Sequence, residues 1–235
     1  MKLLALDSSG LVASVAIVTE EAVLAEYTVN YKKTHSQTLL PMLDEIVKML
    51  GMDLSEVDGI AVSAGPGSFT GLRIGSATAK GLGLALEKPI IPIPTLEGLA
   101  YNLQGYEGLI CPMMDARRNQ VYTGLYEFEQ DKLINIHNQK AIAVEEIIDE
   151  INQMGRNVIY LGDGATIYHS IIREKTKVNY SLAPIHMNRQ RAASIGALGL
   201  VYMKEGKVEA SEDHAPIYLR VSQAERERAE KLKAE

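Results

Sequence analysis

Residues 58–86, DGIAVSAGPGSFTGLRIGSATAKGLGLAL, constrain the fold of this chain more than any other stretch. Residues 59–63 are short and rich in apolar side chains, as a strand covered on both faces requires. Gly65, Pro66 and Gly67 end that strand, because two glycines and a proline set turn geometry. Ser68 or Thr70 can then cap a helix, since a hydroxyl there satisfies a free amide of the first turn. Along that helix Gly71, Gly75, Ala79 and Gly83 recur every four residues, which places them on one face. Each glycine costs roughly 1 kcal/mol of helix stability relative to alanine. A face built from them needs a compensating contact, namely the close approach of another backbone. Two partners fit: an element of the same domain, or a second folded chain.

The chain has 235 residues, room for one large domain or two small ones. Apolar residues make up 46% and charged residues 23%, so a sizeable core can form. A net charge of -6 and a pI of about 5.5 argue against unaided nucleic-acid binding, which needs a basic surface. One cysteine, Cys111, excludes an intrachain disulfide framework and fits a reducing compartment. Its apolar flanks mark a buried, inert thiol. Asp7 cuts the first apolar run short, so no signal peptide is expected. Lys80 and Glu87 interrupt the best apolar run, so no membrane span is expected either. The cytoplasm is the expected location.

Patterning predicts strands over residues 2–6, 13–18 and 23–29, then a helix over 35–50 through Leu39, Leu43, Ile46 and Leu50. The strand and helix of the opening stretch follow, then a strand over 90–93 and a helix over 95–103. The order then begins again. Strands are predicted over 109–114, 121–128 and 133–137, a helix over 144–154, a strand over 157–161 and a helix near 167–173. This is a duplication of architecture, with a first unit at 1–104 and a shorter second unit at 105–190. Residues 191–235 add an Ala- and Gly-rich helix, expected to pack back across the junction, an extended segment and a charged tail. Two such βββαβαβα units facing each other make the α/β fold of actin, sugar kinases and the Hsp70 nucleotide domain, the actin-like (ASKHA) class. In that fold two acidic turns flank nucleotide phosphates, and here Asp7 and Asp115 follow the first strand of each unit. The alternative is that both are ordinary turn residues bonding local amides.

No strong catalytic motif is present. A phosphate-binding loop needs glycine, four residues, then Gly-Lys-Ser/Thr, but Thr70 stands where the second glycine belongs. A dinucleotide fingerprint fails because Gly71 comes one residue late. Arg73 can meet an anion, a partner carboxylate or a surface acid of this chain. The histidines, His35, His137, His169, His186 and His214, show no metal-binding spacing. His35 reads as a helix-start residue.

Residues 63–75, SAGPGSFTGLRIG, closely resemble the TsaB (YeaZ) family. The likeness extends to Leu6-Asp7-Ser8-Ser9, to residues 35–41 (HSQTLLP), to 113–118 (MMDARR) and to 216–220 (PIYLR), and covers the chain except its charged tail. It implies a non-catalytic scaffold subunit for the threonylcarbamoyladenosine modification of tRNA. The partners it implies are a catalytic paralogue of the same fold, TsaD, and a small ATPase, TsaE. Threonylcarbamoyl-AMP is the implied donor. No cofactor is expected to bind tightly, ATP and Mg2+ belonging to the partner complex. The chain is expected to form a homodimer when alone and to reach tRNA only through the complex. The implied interface comprises Gly71, Arg73, Ile74, Gly75, Thr78, Ala79 and Gly83. On that expectation Gly75→Leu or Ala79→Arg abolishes assembly and leaves the monomer folded. Asp7, Ser8, Ser9 and Asp115 form a candidate vestigial nucleotide cleft.

The resembling paralogue carries a His-x-Glu-Gly-His-like metal stretch. Here it reads Thr95-Leu96-Glu97-Gly98-Leu99, with no imidazole at either end, so no metal is expected. The runner-up is an enzyme in its own right, a nucleotide-dependent phosphotransferase or an M22-type peptidase of this fold.

Overall fold

The computed structural model describes residues 1–31 and 35–220. The first unit runs β1 (Lys2–Asp7), β2 (Ala13–Thr19), β3 (Val23–Val29), α1 (His35–Leu50), β4 (Gly59–Gly65), α2 (Phe69–Leu86), β5 (Ile90–Pro94) and α3 (Thr95–Tyr101). The second runs β6 (Leu109–Asp115), β7 (Gln120–Glu129), β8 (Lys132–Ala143), α4 (Val144–Met154), β9 (Val158–Leu161), α5 (Asp163–Ile167), α6 (His169–Lys175) and β10 (Tyr180–Leu182). A last helix, α7 (Ala192–Lys204), follows.

The two sheets have matching strand orders, β3-β2-β1-β4-β5 and β8-β7-β6-β9-β10. In each, three strands form an antiparallel meander, and the remaining two run parallel beside its first strand. The central strands β1 and β4 are covered on both faces, which is why their sequences hardly alternate. On one face, Leu4, Leu6, Val15, Ile17, Ile60 and Val62 pack against Leu39, Leu43 and Ile46 of α1 and Ala79 of α2.

The opposite face is covered by α7. Leu3, Ala5, Ala16, Val18, Ala61 and Ile91 pack with Ala192, Ile195 and Leu198. Gly196 lets α7 lie close, since a Cβ there would stand 2.6 Å from Val18 Cγ2. The Ser14 hydroxyl accepts the Ala192 amide at 2.9 Å and so satisfies the start of that helix from the neighbouring sheet. The return across the junction therefore ends on the first sheet. α3 does the converse: Leu96, Leu99 and Ala100 pack with Ile110, Tyr126 and Ile159 of the second sheet. The two helices form the spine joining the units.

The second unit departs from the sequence pattern in three places. β8 runs on to Ala143 rather than ending at His137. The helix expected near 167–173 is two short helices divided at Tyr168. β10 has only three residues, too few to show a periodicity. The second unit is therefore short in its helices and last strand, not in strand number. Cys111 is fully buried, and burial pushes its thiol up to about 12, consistent with an inert side chain. Among the described residues no helix is long and apolar enough to cross a membrane. The charged tail from Ser222 onward lies outside the described residues.

Candidate functional site

Two surfaces collect the residues singled out in the sequence: the helix α2 and the cleft between the units. Ser68 caps α2 by accepting the Gly71 amide at 3.3 Å. Gly71, Gly75, Ala79 and Gly83 do share one face, but that face is turned inward. A Cβ at Gly71 would be driven into the Ser8 carbonyl oxygen, and the Ser8 hydroxyl donates to Gly71 O at 2.8 Å. A Cβ at Gly75 would lie 2.5 Å from Ser8 Oγ. Ala79 is fully buried in the core. Gly83 is a notch for Ser211, whose hydroxyl donates to Lys88 O at 2.7 Å.

This corrects the expectation that these four residues meet another chain directly. The close neighbours they admit are the β1 turn and the segment after α7. Gly75→Leu and Ala79→Arg would therefore disrupt the monomer instead of selectively removing an interface. Spacing of four tells which residues share a face, and packing decides which way the face points.

A second row on α2 has the same spacing. Arg73, Ala77, Gly81 and Ala85 are all exposed, and nothing lies within 4 Å of where a Gly81 Cβ would stand. Leu84 beside them is 56% exposed. Ile74 and Thr78 are half-buried between the two rows. Of the expected interface residues, Arg73, Ile74 and Thr78 thus reach the surface. α1 packs alongside α2 and exposes Leu40 and Met49.

The cleft is a cavity of about 630 Å3 between the turns of the two units. The Asp7 carboxylate does not enter it. It accepts the Ser9 amide at 2.9 Å and the Ser9 hydroxyl at 2.7 Å, and burial raises its pKa above the ordinary value. Ser8 is spent on α2. Ser9 and Asp115 do line the cavity, so the structure brings together only two of the four expected cleft residues there.

Asp115 accepts the Arg117 amide and the Tyr168 hydroxyl, each at 2.9 Å. Sequence patterning missed Asp163, which accepts the Asp115 amide at 3.2 Å and whose carboxyl is raised by burial. Its signal was positional: it stands directly after β9 and Gly162, where the Gly-Pro-Gly loop follows β4 in the first unit. Arg117, Arg118 and Asn119 all adopt left-handed backbone, with φ of 63°, 58° and 56°, which turns Arg117 into the cleft wall. Tyr218 and Arg220, from the segment after α7, close the same cavity.

The stretch matching a metal motif does not fit a metal. Thr95 Oγ1 accepts the Gly65 amide at 3.1 Å and pairs with Ser63 Oγ at 2.8 Å. Leu99 is in the core, and Glu97 accepts a hydrogen bond from the Tyr202 hydroxyl. Among the described residues no three His, Cys, Asp or Glu side chains are grouped to hold a metal ion.

Two matching α/β units whose turns meet at a cleft define an actin-like (ASKHA) protein. The fold is shared with ROK hexokinase from Thermus thermophilus, at a TM-score of 0.50 and 10% identity, covering 88% of this chain and 100% of that one. Residues 22–228 match the family model described as "TsaD: tRNA N6-adenosine threonylcarbamoyltransferase". Over 225 residues the chain is 32% identical to the tRNA threonylcarbamoyladenosine biosynthesis protein TsaB of Bacillus subtilis, covering 96% of each. YeaZ from Pseudomonas aeruginosa superposes with a TM-score of 0.76 at 28% identity, covering 93% of this chain and 99% of that one. The chain belongs to the TsaB (YeaZ) family.

Proposed function

We propose that this chain is a non-catalytic subunit of the threonylcarbamoyladenosine machinery, and that it docks on a TsaD-like catalytic paralogue through the outer face of α2. The relative's name supplies the pathway. The observation that carries the docking is the outer row itself. Small residues at Ala77, Gly81 and Ala85 leave the helix backbone approachable, and no part of this chain among the described residues fills the space at Gly81. Helices lined with small residues pack at short interaxial distance. A paralogue of the same fold carries an equivalent helix, so the two can pair about a pseudo-two-fold axis. The same face, self-paired, serves a homodimer when the paralogue is absent.

The accessory role is supported by the chemistry of the site. Thr95 and Leu99 stand where imidazoles would ligate a metal, and Asp7 is committed to its own turn. A TsaE-like ATPase joins the pair, with ATP and Mg2+ handled in that assembly. A net charge of -6 favours contact with tRNA through the complex, in the cytoplasm.

Calorimetric titration with the paralogue tests the docking. Gly81→Arg and Leu84→Glu are expected to lose binding while staying folded, Gly81→Arg melting no lower than wild type, because both positions face solvent and a helical glycine in open space is the weaker helix former. Wild-type affinity in Gly81→Arg would overturn the assignment of this face.

A further inference from the structure

Residues 217–220 tie the two units together across the open side of the cleft. Ile217 N donates to Ala64 O at 2.7 Å, at the end of β4. The Tyr218 ring stacks on Phe69 with centroids 4.6 Å apart, and its hydroxyl accepts from Arg73 Nε at 3.2 Å. Arg220 Nη1 then reaches the second unit, donating to Ala116 O at 2.7 Å, with its guanidinium 6.0 Å from the centre of the Tyr122 ring. The spine helices α3 and α7 hold the opposite side, where Asn102 Nδ2 donates to Met187 O and Arg189 O. Elsewhere between the units, Gln139 Nε2 makes a long contact to Gly65 O at 3.5 Å. The units are thus tied at two places, the spine helices on one side and residues 217–220 on the other.

The strap of residues 217–220 has an external handle. Arg73 is exposed on the outer row of α2, with its guanidinium 4.1 Å from the Phe69 ring centre and its Nε on Tyr218. We infer that residues 217–220 are a latch closing the cleft, and that docking on the outer face of α2 locks it through Arg73. A partner covering Arg73 removes the water that competes for the Arg73–Tyr218 bond, and a hydrogen bond in a drier setting is stronger. The docking surface is thereby coupled to the cleft, with the latch as the element that has two positions.

Hydrogen exchange at the Ile217 amide reads the latch directly, because that amide is bonded only while the strap is seated. In the free chain, Arg73→Ala and Arg220→Ala are each expected to speed this exchange roughly tenfold, about the effect of one lost charge-assisted contact. The Leu4 and Leu6 amides of β1 should exchange as in wild type. Unchanged Ile217 exchange in Arg220→Ala would show that the strap is not held by the second unit, and in Arg73→Ala that Arg73 does not hold it. Either result overturns the latch. Adding the TsaD-like paralogue is expected to slow Ile217 exchange in wild type, and faster or unchanged exchange in a formed complex overturns the locking. That arm alone rests on the docking face proposed above, and absence of any complex by calorimetry would count against the docking reading while leaving the latch to the free-chain variants.

Discussion

Asp7 shows how a residue can look functional in sequence and be structural in the fold. An aspartate at the end of the first strand of a duplicated unit is where a phosphate-flanking acid would stand. Its carboxylate instead closes the turn that carries it, bonding Ser9 twice. No sequence signal separates the two, because an acid in a turn favours local amides in either case. The environment leaves a measurable mark. Burial holds the Asp7 carboxyl above its ordinary 3.8, so the folded chain keeps this proton more tightly than the unfolded chain. Stability from that source is full below the unfolded value and falls as pH rises through the folded value. Asp7→Asn keeps an oxygen for Ser9 and removes the titration. Its urea midpoint should therefore gain on wild type as pH rises above the ordinary carboxyl value of 3.8, and a difference that stays constant as pH rises contradicts the assignment. Cys111, by contrast, was legible as a core thiol because its neighbours along the strand are apolar on both sides.

At the scale of the element, α2 was legible in extent and misjudged in orientation. Its cap, its length and its small-residue face all follow from the sequence. The direction of that face depends on the Ser8 turn and on Ser211, which are distant along the chain and adjacent in space. The helix carries two rows at the same spacing, one filled from inside and one open. The rows respond oppositely to one methyl group. Gly71→Ala should destabilise the chain by about 1–3 kcal/mol, since its Cβ meets the rigid Ser8 carbonyl. Gly81→Ala should stabilise it by about 0.5–1 kcal/mol, the ordinary gain from replacing a helical glycine in open space. Urea unfolding of the two variants checks both signs. The strand β10 and the division at Tyr168 escaped patterning for a different reason: segments this short carry no period to detect.

For the whole molecule, the duplication was visible in the order of elements, because buried strands and amphipathic helices have distinct periods. The exchange of helices between units was not. α7 covers the first sheet and α3 packs on the second, and nothing local to either sequence states which sheet it serves. The strap at 217–220 was readable only as extended chain, although it meets both sides of the cleft. The central claim concerns the outside of the molecule: the outer row of α2 is where the catalytic paralogue lies. Ala77→Cys places a reactive thiol in that row, and the one native thiol, Cys111, is buried and unreactive. The most direct measurement is the rate at which a maleimide labels this variant with and without the paralogue. Ile185→Cys, on the second unit and 95% exposed as isoleucine, serves as control. Labelling at position 77 should fall sharply in the complex while labelling at position 185 continues. Equal labelling at position 77 in free and bound chain, with the complex formed, would contradict the account.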